Sequence, residues 1–477
     1  ALTYVELGSM FPESGGMSRY AQYSHGPLLG FIAAWANWIS LVTLVPMEAV
    51  AAVQYMSSWP WSWANWTKNF IKNGDITFKG IGVVFIFMLI FTMINFWSVK
   101  IMTHFTNLIS IFKILLPTLT IVTLICSGFH EHNFGTNIHE FMPYGSRSIF
   151  EATSVSGIIM SYDAFQTIIN MGGELKNPRK NIVRGVLISM LITAAIYIML
   201  QVTFIGAVEP SMLAKVGWHG IDFTSPFADL AILMGINWLV ILLYLDAFVS
   251  PFGTGVAFVA TASRALAAMT HTRHLPKWLG RINQNYIIPR YAMATDLILA
   301  VILVSLFRNW NLLATVITAS TLIAYLTGPV TVMTLRKIRP DLARPFKPRY
   351  MPWLAPIAFV LTSLAIYWSM WPTTIQVILV IALGLPIYFY YEIRYQHSDL
   401  KKQLHNCWWM IGYLIFMSFM SYIGSNGFGG QNWIKYPFDF VVIIVVSLLF
   451  YYWGVKSGRD QLDPYAEHIV QNKNKQK

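Results

Sequence analysis

The stretch Met160–Ile182, MSYDAFQTIINMGGELKNPRKNI, decides how this chain is read. It puts Asp163 inside a run, Ile149–Gly172, that is otherwise compatible with lipid, and the run stops at a glycine pair, a carboxylate and a basic cluster. An ionised carboxylate is costly in hydrocarbon, so Asp163 is expected to face a protein interior or a wet cavity, near a partner or a proton. Backbone that leaves the helix at membrane depth is tolerated only where it lines such a cavity, and Ser161, Tyr162 and Asp163 are placed to satisfy the freed groups. The stretch therefore predicts half of a solute site inside a membrane protein.

Composition agrees. The chain has 477 residues, is 56% hydrophobic and 11% charged, and its mean hydropathy is +0.53. That suits an all-α polytopic membrane protein better than two or three soluble domains. The net charge of +12 sits in short clusters between apolar runs, the pattern that sets membrane topology, so nucleic acid is not an expected partner. Cys126 and Cys407 both lie in apolar segments and make neither a disulfide framework nor a metal spacing.

Thirteen apolar runs approach the length that a bilayer core of about 30 Å requires. The first is a piece, Ala1–Phe11. The others are Leu28–Ser57, Ile81–Phe96, Leu108–Cys126, Ile149–Gly172, Val186–Ala207, Trp238–Ala262, Ala292–Leu306, Leu312–Leu335, Leu354–Trp371, Ile375–Tyr391, Trp408–Ile423 and Val441–Trp453. If the loops alternate between two sides, one side holds 25 Lys and Arg and the other 7, with Lys113 inside a span. This bias places the C-terminus and the tail 456–477 in the cytoplasm of a multi-pass cell-membrane protein. Ala1 opens inside an apolar run with no initiator methionine, so upstream membrane sequence is expected.

Several motifs then become familiar: TYVELGSMFPESGG (Thr3–Gly16), GPLLGFIAAWANW (Gly26–Trp38), SYDAFQTIINMGGELKNPRKNI (Ser161–Ile182), SRALAAM (Ser263–Met269) and HLPKWLGRIN (His274–Asn283). Together they resemble the amino acid-polyamine-organocation superfamily of permeases. KYPFDF (Lys435–Phe440) and LLFYYWGVKSG (Leu448–Gly458) look like its proton-coupled aspartate symporter branch. The resemblance implies a five-plus-five inverted-repeat fold with discontinuous helices. Residues 1–128 would be the first repeat lacking its first helix, 149–336 the second repeat, and 350–455 four additional transmembrane helices. In that family the first and sixth helices unwind at mid-membrane and hold an amino acid between them. This chain departs from the pattern at Ala164, where relatives usually carry glycine.

Ser161, Tyr162, Asp163, Ala164 and Phe165 are the expected substrate contacts: backbone groups and helix-end dipoles of a broken helix can bind the charged ends of a zwitterion. Phe165 would cover the side chain. The competing reading is a continuous helix in which Tyr162 and Phe165 only pack.

Lys113, in NLISIFKILLPTLT, is the expected proton-coupling residue, because withdrawal from water brings a lysine's two protonation states closer in energy. It also matches the fifth-helix lysine that takes the place of a sodium ion in some proton-coupled relatives. The competing reading is snorkelling, with Lys113 some six residues from the cytoplasmic end of its span. Glu6 is expected to cap or pair. Glu48 and Asp246 lie deeper, each facing either the pathway or another helix. Ser250 and Thr254 share a helix face, where hydroxyls line an ion site or bridge helices.

The expected function is secondary active transport of an amino acid, coupled to protons, by alternating access. An enzyme is not expected, since no HExxH or GxSxG set occurs, and no cofactor is implied beyond a proton as coupling ion. An amino acid or polyamine exchanger is the alternative within that class, and a non-transporting amino acid sensor the alternative outside it. The partners are a small amino acid and membrane lipid, while oligomeric state stays open.

Overall fold

A computed structural model describes residues 1–463, 466 and 467, apart from 14, 98, 156, 224, 271–274, 284–287 and 396–399. The side chains of 97, 99–106, 154, 155 and 174 are also outside the description. Ser14, the side chain of Glu174 and most of the tail 456–477 therefore lie outside the described residues.

The thirteen apolar runs are carried mostly by helix, with Ile149–Gly172 and Ile375–Tyr391 each divided between two helices. In chain order the helices that carry the apolar runs are α1 Leu2–Met10, α2 Pro27–Ser57, α3 Phe78–Trp97, α4 Val99–Ser127, α5 Gly145–Val155, α6 Phe165–Asn170 and α7 Pro178–Ala207. They continue as α8 Asn237–Met269, α9 Arg290–Leu306, α10 Trp310–Ile338, α11 Met351–Tyr367, α12 Thr373–Ala382, α13 Leu385–Tyr395, α14 Leu400–Ile423 and α15 Phe438–Lys456. Among the described residues, eight helices are long and apolar enough to cross a membrane, counting Thr373–Tyr395 as one. Among the described residues, strand is limited to a hairpin pairing Ile71 with Ile76. The chain is an all-α polytopic membrane protein.

The helix α2 is the central post. Its apolar window is wholly buried, and Ala33, Ala34, Ala36, Ala49 and Ala52 let α8 and α10 approach closely. By contrast α7 turns most of its apolar window outward, as a lipid-facing helix does.

Two boundaries differ from the sequence expectation. The helix α4 begins at Val99 rather than Leu108, which puts Lys113 fourteen residues from each end. The part of α4 apolar enough to cross a membrane is Asn107–Ser127, so Lys113 keeps the six-residue distance from one end of the span that the sequence implies. The Ile149–Gly172 run is split into α5 and α6.

The C-terminal end of α6 is tied down on the face that carries the 176–184 cluster. Gly15, in the left-handed region at φ 71, donates its N–H to the Asn170 carbonyl at 2.7 Å, and Met17 N–H donates to Asn170 Oδ1 at 3.3 Å. Arg19 pairs with Glu13 at 3.1 Å, and the Tyr23 hydroxyl donates to the same carboxylate. Glu6 pairs as expected: Arg336 Nε and Nη2 reach its two oxygens at 2.8 and 2.6 Å, tying α1 to α10.

Candidate functional site

The break in the split helix is made by glycine, though not at position 164. After α5 ends, Gly157 takes φ +77 against the Trp310 ring, and Ile159 N–H reaches back to the Thr153 carbonyl. A short 3-10 turn, Met160–Tyr162, leads through Asp163 to α6. Ala164 is right-handed at φ −60, so alanine there is no obstacle; the left-handed demand falls on Gly157, which sequence reasoning passed over. Gly157→Ala is expected to lower stability by about 1–2 kcal/mol, the cost of a left-handed L-residue, read as a drop in thermal midpoint in detergent. An unchanged midpoint would show that the turn tolerates a right-handed alternative.

The five expected contact residues do not share one direction. Ser161 Oγ donates back to the Gly157 carbonyl at 3.0 Å. The Tyr162 ring meets Tyr197 of α7 edge-on, with centroids 5.6 Å apart. Ala164 is exposed, whereas Asp163 and Phe165 are buried toward α10. Phe165 packs on Tyr325, centroids 5.4 Å apart, so in this conformation it covers Tyr325 rather than open space. Asp163 is 4% exposed; its charge faces Thr321 and Tyr325, at the middle of α10, and its Oδ2 is buried with no hydrogen-bond partner. Ser40 of α2 meets Thr321 hydroxyl to hydroxyl, and Tyr4 of α1 donates to the Ala324 carbonyl at 2.9 Å. Four helical elements thus converge on one buried carboxylate.

Lys113 belongs to a second group. Its ammonium donates to Thr254 Oγ1 of α8, while Thr254 in turn donates to the Ser250 carbonyl at 3.1 Å. The Ser250 and Thr254 face therefore bridges α8 to α4 through a lysine. Among the described residues, Glu48 and Asp246 are the carboxylates within charge–charge range of Lys113. A cavity of about 710 Å³ between α4 and α7 is lined by Lys113, Arg184, Thr193 and Tyr197 together with isoleucines. Tyr197 thereby connects Tyr162 to the lysine group.

Further buried polar groups had no part in the sequence reading. Gln166 and Asn170 follow Asp163 at i+3 and i+7 on one face, a spacing the sequence displays, and each has buried atoms without a hydrogen-bond partner. Asp296 of α9 accepts from Trp38 Nε1 at 2.8 Å and keeps Oδ2 unpartnered. It was overlooked because it lies near the start of its run. Thr321 and Tyr325 carry no signal in sequence, since hydroxyls are common in any apolar helix.

An all-helical chain that crosses the membrane repeatedly, with a helix interrupted beside a buried carboxylate, has the build of a membrane transporter. It belongs to the amino acid permease family, whose pattern matches residues 1–391. The chain is 49% identical to the glutamate/serine transporter AimA of Bacillus subtilis (strain 168), over 96% of this chain and 85% of that protein. It is 33% identical to the aspartate-proton symporter of the same organism, over 96% and 87%. Similarity extends to its branched-chain amino acid permease BcaP, at 24% identity over 84% of each chain. The family is one of transporters and not of enzymes.

Proposed function

We propose that this chain moves an amino acid across the cell membrane by alternating access, with protons as the coupling ion and the C-terminus in the cytoplasm. The observation that carries the reading is the helix interruption at 157–163, where a buried carboxylate oxygen has no hydrogen-bond partner and four helical elements meet. A polar solute that donates a hydrogen bond can satisfy that oxygen. The repeat boundaries 1–128 and 149–336, the additional helices within 350–455 and the cytoplasmic tail 456–477 belong to the same proposal.

For the substrate, the relatives named for glutamate, serine and aspartate support a small acidic or hydroxyl amino acid. An acidic amino acid carries one net negative charge, so moving it with one proton transfers no net charge, which spares the barrier that hydrocarbon sets against ions. Lys113 supports proton coupling because an ammonium stands at mid-helix against Thr254.

Uptake of L-glutamate, L-aspartate and L-serine into liposomes, with and without an imposed pH gradient, tests the proposal. Accumulation with the gradient supports symport, dependence on internal amino acid means exchange, and binding without flux means a sensor. Lys113→Ala is expected to abolish gradient-driven accumulation while sparing part of the binding, measured by thermal shift with the same amino acids. An unaltered response to pH would remove Lys113 from the mechanism.

A further inference from the structure

The groups around Lys113 are unequal in charge. One ammonium faces two carboxylates, Glu48 on α2 and Asp246 on α8. The phenols of Tyr55 on α2 and Tyr197 on α7 face the two carboxylates, and the guanidinium of Arg184 on α7 lines the same cavity as Lys113. Near the outer end of the group, Tyr244 donates to the Ser58 carbonyl, and Asp229 accepts from the Ser225 N–H at 2.9 Å. With both inner carboxylates ionised and Lys113 charged, the group holds one negative charge in excess. Apolar surroundings penalise that excess, and one bound proton removes it.

Asp246 is placed to receive that proton. It lines a cavity of about 140 Å³ with Tyr55, Ser225 and Tyr244, toward the ends of α2 and α8 remote from the 176–184 cluster. Its Oδ1 is buried with no hydrogen-bond partner. Lys113, in contrast, points its ammonium at a hydroxyl whose own proton is committed to the Ser250 carbonyl, so Thr254 serves it as an acceptor.

We propose that the coupling proton is carried by the carboxylate pair, loaded at Asp246 and balanced by Glu48, while Lys113 keeps its charge throughout as their fixed counter-ion. A hydronium ion in the cavity gives its proton to the Asp246 carboxylate, leaving water. An O–H bond forms, and the group passes from one excess negative charge to none. On the opposite side the O–H bond breaks, the proton goes to water, and the carboxylate is restored. This inference rests on the proton coupling proposed above and names the atoms that hold the proton.

The test uses the full chain in liposomes, with L-aspartate and L-glutamate as probes and a gradient of about one pH unit. At one proton per solute, that gradient supports about tenfold accumulation. Lys113→Arg preserves a positive charge that cannot be lost at these pH values and is expected to keep the accumulation ratio, even at a lower rate. Asp246→Asn is expected to bring the ratio to about one while counterflow exchange continues. Loss of accumulation in Lys113→Arg overturns the fixed-charge role, whatever Asp246→Asn does, and tenfold accumulation in Asp246→Asn overturns the loading role. If Lys113→Arg is not recovered folded, proton uptake per solute is measured with a trapped pH dye in Asp246→Asn: near zero supports the inference, and near one overturns it. A wild-type protein that exchanges amino acid but ignores the gradient would instead overturn proton coupling itself, a distinguishable result.

Discussion

Asp163→Asn is expected to reduce amino acid uptake by about ten- to a hundredfold, the equivalent of losing one hydrogen bond to a charged group at about 1.5–3 kcal/mol. The substitution keeps the shape of the side chain and removes its charge, so packing against Phe165 and α10 is largely unchanged. What disappears is the anionic oxygen, Oδ2, that is buried without a partner and faces Thr321 and Tyr325. The pH dependence should flatten as well, because asparagine cannot take up a proton. Initial rates of uptake from mildly acid to mildly alkaline pH are the measurement. Wild-type rates with a wild-type pH profile would leave Asp163 without a role in transport.

Glu6→Gln is expected to destabilise the protein by about 3–5 kcal/mol, because it removes one side of a buried ion pair and strands the other. Glu6 is fully buried, Arg336 takes both its oxygens, and Arg344 Nε lies 3.5 Å from Oε1. Without the carboxylate, two guanidinium groups keep their backbone carbonyl partners, Pro348 for Arg336 and Leu335, Arg339 and Leu342 for Arg344, but lose the negative charge that lay between them. The thermal midpoint in detergent should fall by roughly three to five degrees. Adding Arg336→Gln should recover part of the loss, since the residues act as a pair. A midpoint within a degree of wild type would mean that water or lipid reaches the arginines and replaces the carboxylate.

Sequence reading located the helices well and their junctions less well. The apolar runs fell on helices because hydrocarbon demands internally satisfied backbone over about 20 residues, and that demand is written in composition. Helix α4 was underestimated because Val99–Phe105 carries Lys100 and His104, which lower the local hydropathy without stopping the helix. The break was expected around Ser161–Phe165, and the interruption runs from Gly157 to Ala164; its start was missed because a lone glycine inside a run that contains no proline gives no warning of a positive φ.

Asp163, Lys113, Glu48 and Asp246 stood out in the sequence because a charge inside an apolar run is conspicuous wherever it points. The sequence thus determined, unaided, the membrane-spanning class, the helix content and which residues are too polar for lipid. Only the tertiary structure decided the company they keep: Asp163 with Thr321 and Tyr325, Lys113 with Thr254, Glu6 with Arg336. The physical reason is range. Hydropathy acts residue by residue along the chain, whereas a buried charge is balanced by groups far away in sequence, and α2, α8 and α10 bring those groups together only once they pack.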